Sequence, residues 1–357
     1  MSDKEASGLG SDLAKCTNLS SLTLDLFYNY IGDEGSSGLS YGLAKCINLS
    51  NLSLCLTENQ IGAIGASSLG SALAQCVNLQ NLIIDLNLNK IGDEGSSSLS
   101  FGLAQNTSLS NLTLKLNKNQ IGDKGVSELG FNLGKCTNLS NITLYLNSNK
   151  IGKIGVQGLG FGLSKCINLS NLTLDLIKNQ IPDEGALGLG LALAKCTNLS
   201  ILTLFLNSNE IGGEGASGLS FNLAKCTNLS SLKLNISENQ IGDEGTSNLG
   251  LDLAKCTKLS NLTLYLSENR IGATGALCLG YGLSNSTNLS NLTLKLNYNE
   301  IGNQGTSGLC SGLAKCTNLL NLTLSMSKYQ INKSQQLRVK SICLKSLRLV
   351  DFIILFL

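Results

Sequence analysis

The chain repeats itself every 30 residues, without insertion, over almost its whole length. Ile31, Ile61, Ile91, Ile121, Ile151, Ile181, Ile211, Ile241, Ile271, Ile301 and Ile331 mark the phase. A period in the range of roughly 20–50 residues indicates an array in which each unit covers the apolar face of the next. A chain of 357 residues would ordinarily suggest two domains. Here the repeat runs through any such boundary. The reading is one elongated domain, with about 11 units over residues 1–330 and a diverged C-terminal cap at 331–357. The sequence has no Trp and only 4% aromatic residues, so the core must be aliphatic.

Within a unit, Gly32 and Gly35 flank Asp33 and Glu34. Leu39, Leu43 and Cys46 follow at spacings of four and three, which places them on one helix face. Ser40, Gly70, Ser100 and Gly130 share a neighbouring phase and would let adjacent helices approach closely. The acidic residues at the helix start and Lys45 near its end suit the helix dipole, at about 0.3–1 kcal/mol each. In the second half Leu52, Leu54 and Leu56 alternate, the mark of a strand with one buried face. Eleven such strands run from Leu22–Leu26 to Leu322–Met326, each separated from the next by a helix, and they should pair in parallel. Three residues after each of the first ten strands stands an Asn, from Asn29 and Asn59 to Asn299. Its amide can satisfy turn backbone that has neither water nor a sheet partner, forming a ladder.

The pattern Leu24-x-Leu26-x-x-Asn29-x-Ile31, with Gly35, Leu39 and Leu43, resembles the leucine-rich repeat of the ribonuclease-inhibitor type. The resemblance covers about residues 1–330 and implies an α/β solenoid of horseshoe form, with parallel strands on the concave face and helices on the convex face. Two departures stand out. Each 30-residue unit carries an extra apolar strand position (Leu22, Leu52), and the Asn position is not mixed with Cys. The variant is similar to regular arrays of unicellular eukaryotes, some fused to protein kinase domains. The chain has no His for a His-Arg-Asp loop and no Asp-Phe-Gly.

At the ends, Met1 holds the phase of Ile31. The first helix is therefore either a minimal cap or the start of a fragment of a longer kinase-linked repeat protein. Beyond Ile331 the pattern decays, and Leu344-x-x-Leu347-x-Leu349 reads as one more strand before the apolar tail. The opening MSDKEASGLG has no basic segment followed by an apolar one, and no apolar run reaches the roughly 20 residues that span a bilayer. Sequon-like triplets such as Asn18-Leu19-Ser20 start several strands, where a glycan would block packing. The expectation is a cytoplasmic protein without membrane attachment.

Nine cysteines, from Cys16 to Cys316, occupy one phase, with Asn106 and Ser286 in the two remaining places; they read as small buried thiols. With no CxxC pair and no His, neither zinc nor another cofactor is expected. The GLGFGL-like stretches (Gly158–Leu163, Gly188–Leu193) read as packing rather than a phosphate loop, because Gly recurs inside every helix and no GK[ST] occurs. No carboxylate pair or Ser–base combination suggests catalysis, so the chain is not expected to be an enzyme. Activators of the Ran GTPase use repeats of this type. That leaves Arg270, the single Arg within the repeats, as the basis of a GTPase-activator alternative.

The positions that vary carry the functional expectation. One outward strand phase holds Asp25, Asp85, Lys115, Tyr145, Asp175, Phe205, Tyr265 and Lys295, and three residues further on lie Tyr28 and Tyr298. These should lie on the concave face or its rim, and exposed aromatics are favoured interface anchors. They are the candidate partner-binding residues for a protein of unidentified kind. A mixed-sign strip and a net charge of +2 do not suit nucleic acid.

Overall fold

The computed structural model describes residues 1–327, 331, 333–346 and 349–356. It holds two compact units, Met1–Asn179 and Gln180–Leu357. In the first unit helices and strands alternate: α1 (Asp3–Leu13), β1 (Ser21–Asp25), α2 (Asp33–Leu43), β2 (Asn51–Cys55), α3 (Ala63–Gln75), β3 (Asn81–Asp85), α4 (Gly92–Leu103), β4 (Asn111–Lys115), α5 (Asp123–Leu133), β5 (Asn141–Tyr145), α6 (Lys153–Leu163) and β6 (Asn171–Asp175). The strands pair in parallel in sequence order, with Leu22 opposite Leu52, then Leu82, Leu112, Ile142 and Leu172.

The second unit repeats the scheme with α7 (Asp183–Leu193), β7 (Ile201–Phe205), α8 (Gly213–Leu223), β8 (Ser231–Asn235), α9 (Gly242–Leu253), β9 (Asn261–Tyr265), α10 (Ala273–Leu283), β10 (Asn291–Lys295), α11 (Gly302–Leu313), β11 (Asn321–Met326), α12 (Lys333–Ser346) and β12 (Asp351–Phe356). Its register runs Leu202, Leu232, Leu262, Leu292, Leu322, Phe352. Each unit is an α/β solenoid whose sheet is open rather than closed into a barrel. The last strand corrects the sequence reading. Leu344 lies in α12, Leu347 falls outside the described residues, and the strand is Asp351–Phe356. The 30-residue period explains the shift, because Asp351 pairs with Asn321 and α12 fills the helix slot between them. Among the described residues no helix is long and apolar enough to cross a membrane.

The core is the stacked Leu and Ile ladder, with Leu54, Leu56, Ile61 and Leu69 and their counterparts removed from solvent. Each such side chain contributes about 1.5–3 kcal/mol. Small residues bring the helices together as expected: a Cβ on Gly162 would stand 1.8 Å from the Gly130 carbonyl oxygen. The Asn ladder is present. Asn59 Nδ2 donates to the Leu26 carbonyl at 2.9 Å and the Leu56 carbonyl at 3.1 Å, while its Oδ1 accepts the Ile31 N–H at 3.0 Å. A second amide ladder runs along the strand starts, with Asn81 donating to Asn51 and Asn111 to Asn81, both at 2.6 Å.

The cysteines sit in the turn after each helix rather than on it, and all but Cys16 of that phase are buried. Their thiols reach back one repeat. Cys76 Sγ donates to the Leu43 carbonyl at 3.5 Å and Cys136 Sγ to the Leu103 carbonyl at 3.4 Å. Burial pushes these thiols up, Cys136 to about 11 and Cys256 to about 12. Asn106 takes over the role with its amide, donating to the Leu73 and Cys76 carbonyls at 3.1 and 2.8 Å. Its Oδ1 is the one buried side-chain polar atom among the described residues without a hydrogen-bond partner.

The conserved phase of Asp33 does more than suit a dipole. Asp33 Oδ1 accepts the N–H groups of Gly62 and Gly65, at 2.8 and 2.7 Å, from the start of the next helix. Asp3, Asp93 and Asp123 clamp their following repeats in the same way. At three junctions where the Asp is missing, the next repeat starts differently. After Ala63, Gly213 and Ala273, the glycines Gly92, Gly242 and Gly302 turn to φ +61° and their helices begin one residue earlier. The N–H of Gly92 then goes forward to the Asn119 carbonyl at 3.0 Å, and that of Gly242 to the Asn269 carbonyl at 2.9 Å. Residue 182 is Pro, which has no N–H to satisfy.

Candidate functional site

In the first unit the strand face brings three of the expected residues together. Asp85, Lys115 and Tyr145 occupy one register line on β3, β4 and β5. Lys115 Nζ lies 2.9 Å from an Asp85 carboxylate oxygen and 6.0 Å from the centre of the Tyr145 ring. The hydrogen bond to Asp85 raises the Lys115 pKa, offset in part by burial. Asp85 also accepts from the Thr57 hydroxyl and, at 3.2 Å, from the Asn87 N–H. This part of the face is therefore internally neutralised.

Asp25 is exposed at the end of β1 and accepts the Phe27 N–H at 3.1 Å. Asp175 departs from expectation. It is only 7% exposed, its carboxylate accepts the Ile177 N–H at 3.1 Å, and burial raises its pKa. It offers little to a partner.

In the second unit, Phe205, Tyr265 and Lys295 lie on β7, β9 and β10, and Lys233 of β8 stands among them. Lys233 Nζ is 5.2 Å from the Phe205 ring centre and 5.5 Å from that of Tyr265, while Lys295 Nζ approaches Tyr265 to 4.8 Å. Tyr265 thus carries an ammonium group on each side, a cation–π arrangement worth about 0.5–1 kcal/mol per contact at an exposed site. Among the described residues neither lysine has a carboxylate partner within ion-pair distance. A shallow depression beside Tyr265 and Lys295 is rimmed by Asn235, Ser237, Glu238 and Glu268.

The aromatics Tyr145, Phe205 and Tyr265 are half-buried rather than fully exposed. Lys233 was not among the expected residues, because it falls on the strand phase held elsewhere by Thr, Ser or Ile (Thr203, Thr263). That break was the signal that could have found it.

Tyr28 and Tyr298 lie apart from both groups, in the turns after β1 and β10, at φ +54° and +55°. Tyr28 is 72% exposed. Every described residue of this phase adopts the left-handed conformation, and its N–H can cross to the next repeat, as from Tyr28 to the Thr57 carbonyl at 3.0 Å. Arg270 is likewise held at φ +56°, in the junction that follows Gly242.

A family model described as "Leucine Rich repeat" matches residues 16–40, 79–100, 108–130, 197–220, 225–250 and 258–280. The chain is a leucine-rich-repeat protein. No curated protein sequence matches it. Among solved structures, this leucine-rich-repeat chain is similar to internalin C2 from Listeria monocytogenes, with 20% identity and a TM-score of 0.37 over 82% of this chain and 91% of that one. It is also similar to the actin-binding site 2 of leiomodin-1, with 16% identity and a TM-score of 0.34 over 46% of this chain and 88% of that one.

Proposed function

We propose that this leucine-rich-repeat protein is a non-catalytic recognition module and that the strand face of its second unit binds an acidic, aromatic-tolerant segment of a protein partner. The observation that carries this reading is the bracketing of Tyr265 by Lys233 and Lys295, with Phe205 on the far side of Lys233. Two ammonium groups with no carboxylate within ion-pair distance among the described residues, set beside two half-buried rings, offer both charge and apolar contact. Aromatic anchors with such surroundings carry much of the energy of protein interfaces. The non-catalytic reading is supported by a sequence without His and by buried thiols held protonated. The first unit takes a secondary role here, since Asp85 already neutralises Lys115.

The test is affinity capture with the native chain, followed by titration of the captured partner against Lys233→Glu, Tyr265→Ala and, as a control, Lys115→Glu. All variants must first match the native circular dichroism spectrum. Lys233→Glu and Tyr265→Ala should each weaken binding at least tenfold, about 1.4 kcal/mol, and more so at low salt, whereas Lys115→Glu should change little. Equal affinities for all four chains would overturn the assignment of this face.

A further inference from the structure

The helical face of the second unit carries a pattern that its core does not require. At one outward phase stand Leu191, Phe221 and Leu251, on α7, α8 and α9, 49%, 53% and 48% exposed. Near the helix N-terminal ends runs a row of exposed glutamates, Glu184, Glu214 and Glu244. Just past the C-terminal ends runs a row of exposed lysines, Lys195, Lys225 and Lys255. The helix dipole explains the sign of each charged row. It does not explain a half-exposed apolar row between them.

The three rows are related by a two-fold operation. An axis that passes through Phe221 and lies in the face, along the direction in which α7, α8 and α9 follow one another, sets Leu191, Phe221 and Leu251 each against its own mate and brings the acidic row of one copy over the basic row of the other. We infer that α7, α8 and α9 form an isologous contact between two copies of this chain, with Phe221 meeting its symmetry mate at the centre. A two-fold contact needs one patch that is complementary to itself, and this patch is so in charge. Ser217 and Gly218 keep the space before Phe221 low. Lys225, now 4.3 Å from the Phe221 ring centre, would swing to the partner's Glu214 as the two rings meet. Three helices about 16 Å long and about 10 Å apart offer roughly 500 Å² per copy. The total of about 1,000 Å² lies at the lower limit for a specific interface, so the association should be reversible and salt-dependent.

The experiment is sedimentation velocity of the full chain over a range of concentrations. The native chain should pass from monomer to dimer, and Phe221→Ser should weaken that association at least tenfold. The triple variants Glu184→Lys/Glu214→Lys/Glu244→Lys and Lys195→Glu/Lys225→Glu/Lys255→Glu should each remain monomeric yet associate when mixed. Adding Phe221→Ser to both should weaken the mixture as well. A native chain that stays monomeric at every concentration overturns the inference. So does a native dimer that Phe221→Ser and both triple variants leave intact.

Discussion

Replacing Gly92 by alanine isolates the junction between repeats. At Gly92 φ is +61° and a Cβ would meet nothing within 4 Å, so the substitution acts through the backbone alone. The left-handed conformation costs a residue with a Cβ about 1–2 kcal/mol. Gly122 holds the same phase one repeat later, but Asp93 clamps it at 2.6 Å and its φ is −106°. A Cβ there would meet its nearest atoms at 3.5 Å, an ordinary contact. The same glycine is lost from the unfolded chain in both variants, so that part cancels. Gly92→Ala should therefore be less stable than Gly122→Ala by about 1–2 kcal/mol. The reasoning also predicts a rescue. Ala63→Asp supplies the missing acceptor, lets residue 92 return to the extended conformation, and should recover most of the loss in the Gly92→Ala background. Urea denaturation of the four chains of that cycle, with Gly122→Ala beside them, gives a coupling of about 1 kcal/mol or more if the clamp sets the backbone. Equal stabilities at the two glycines, or an additive cycle, would refute it.

Two further outcomes follow from the buried turn after each helix. Asn106→Cys removes the one unpartnered buried oxygen and restores the thiol found at this phase in neighbouring repeats, so it should raise stability by about 1–2 kcal/mol in urea; a loss would show that the amide donors outweigh the orphaned acceptor. The buried thiols also make stability fall at alkaline pH. Their pKa is raised from 9.0 to about 11 or 12 in the folded chain, so the folded state keeps protons that the unfolded state releases. The contribution is complete below pH 9 and disappears as the pH climbs toward 11–12. The urea midpoint should drop between pH 8 and pH 10.5, and less steeply once Cys136 and Cys226 are changed to Ala; an unchanged slope would rule the thiols out.

Much of the fold was legible because one chain presents the same experiment many times. Leu52, Leu54 and Leu56 announce a strand by alternation, and Asn59 announces a ladder by recurring where backbone lacks partners. The role of Asp33 was not legible in that way. Its acceptor atom serves Gly62 and Gly65, about one period on, while its position at a helix start already has a local explanation. The final strand was misplaced because apolar content at Leu344–Leu349 outweighed the period, and the period held. On the candidate face, outward phases were identified by their variation, which found Tyr265 and Lys295 but passed over Lys233. Its neighbours on that phase scarcely vary, so one departure carried little weight until its distance to two rings was known. Asp175 shows the converse, since variability in sequence does not guarantee access to solvent.

The Asp clamp also means that a repeat does not determine its own beginning. If the block from Ile61 to Lys90 were excised, Asp33 would stand ahead of Gly92, and a helix that now starts one residue early would acquire the other start without any change in its own residues. Unequal crossing-over in a tandem array makes and breaks such neighbour pairs each time it acts. An array of this kind can lengthen and shorten because the residue that must respond is glycine, which accepts either conformation its new neighbour dictates.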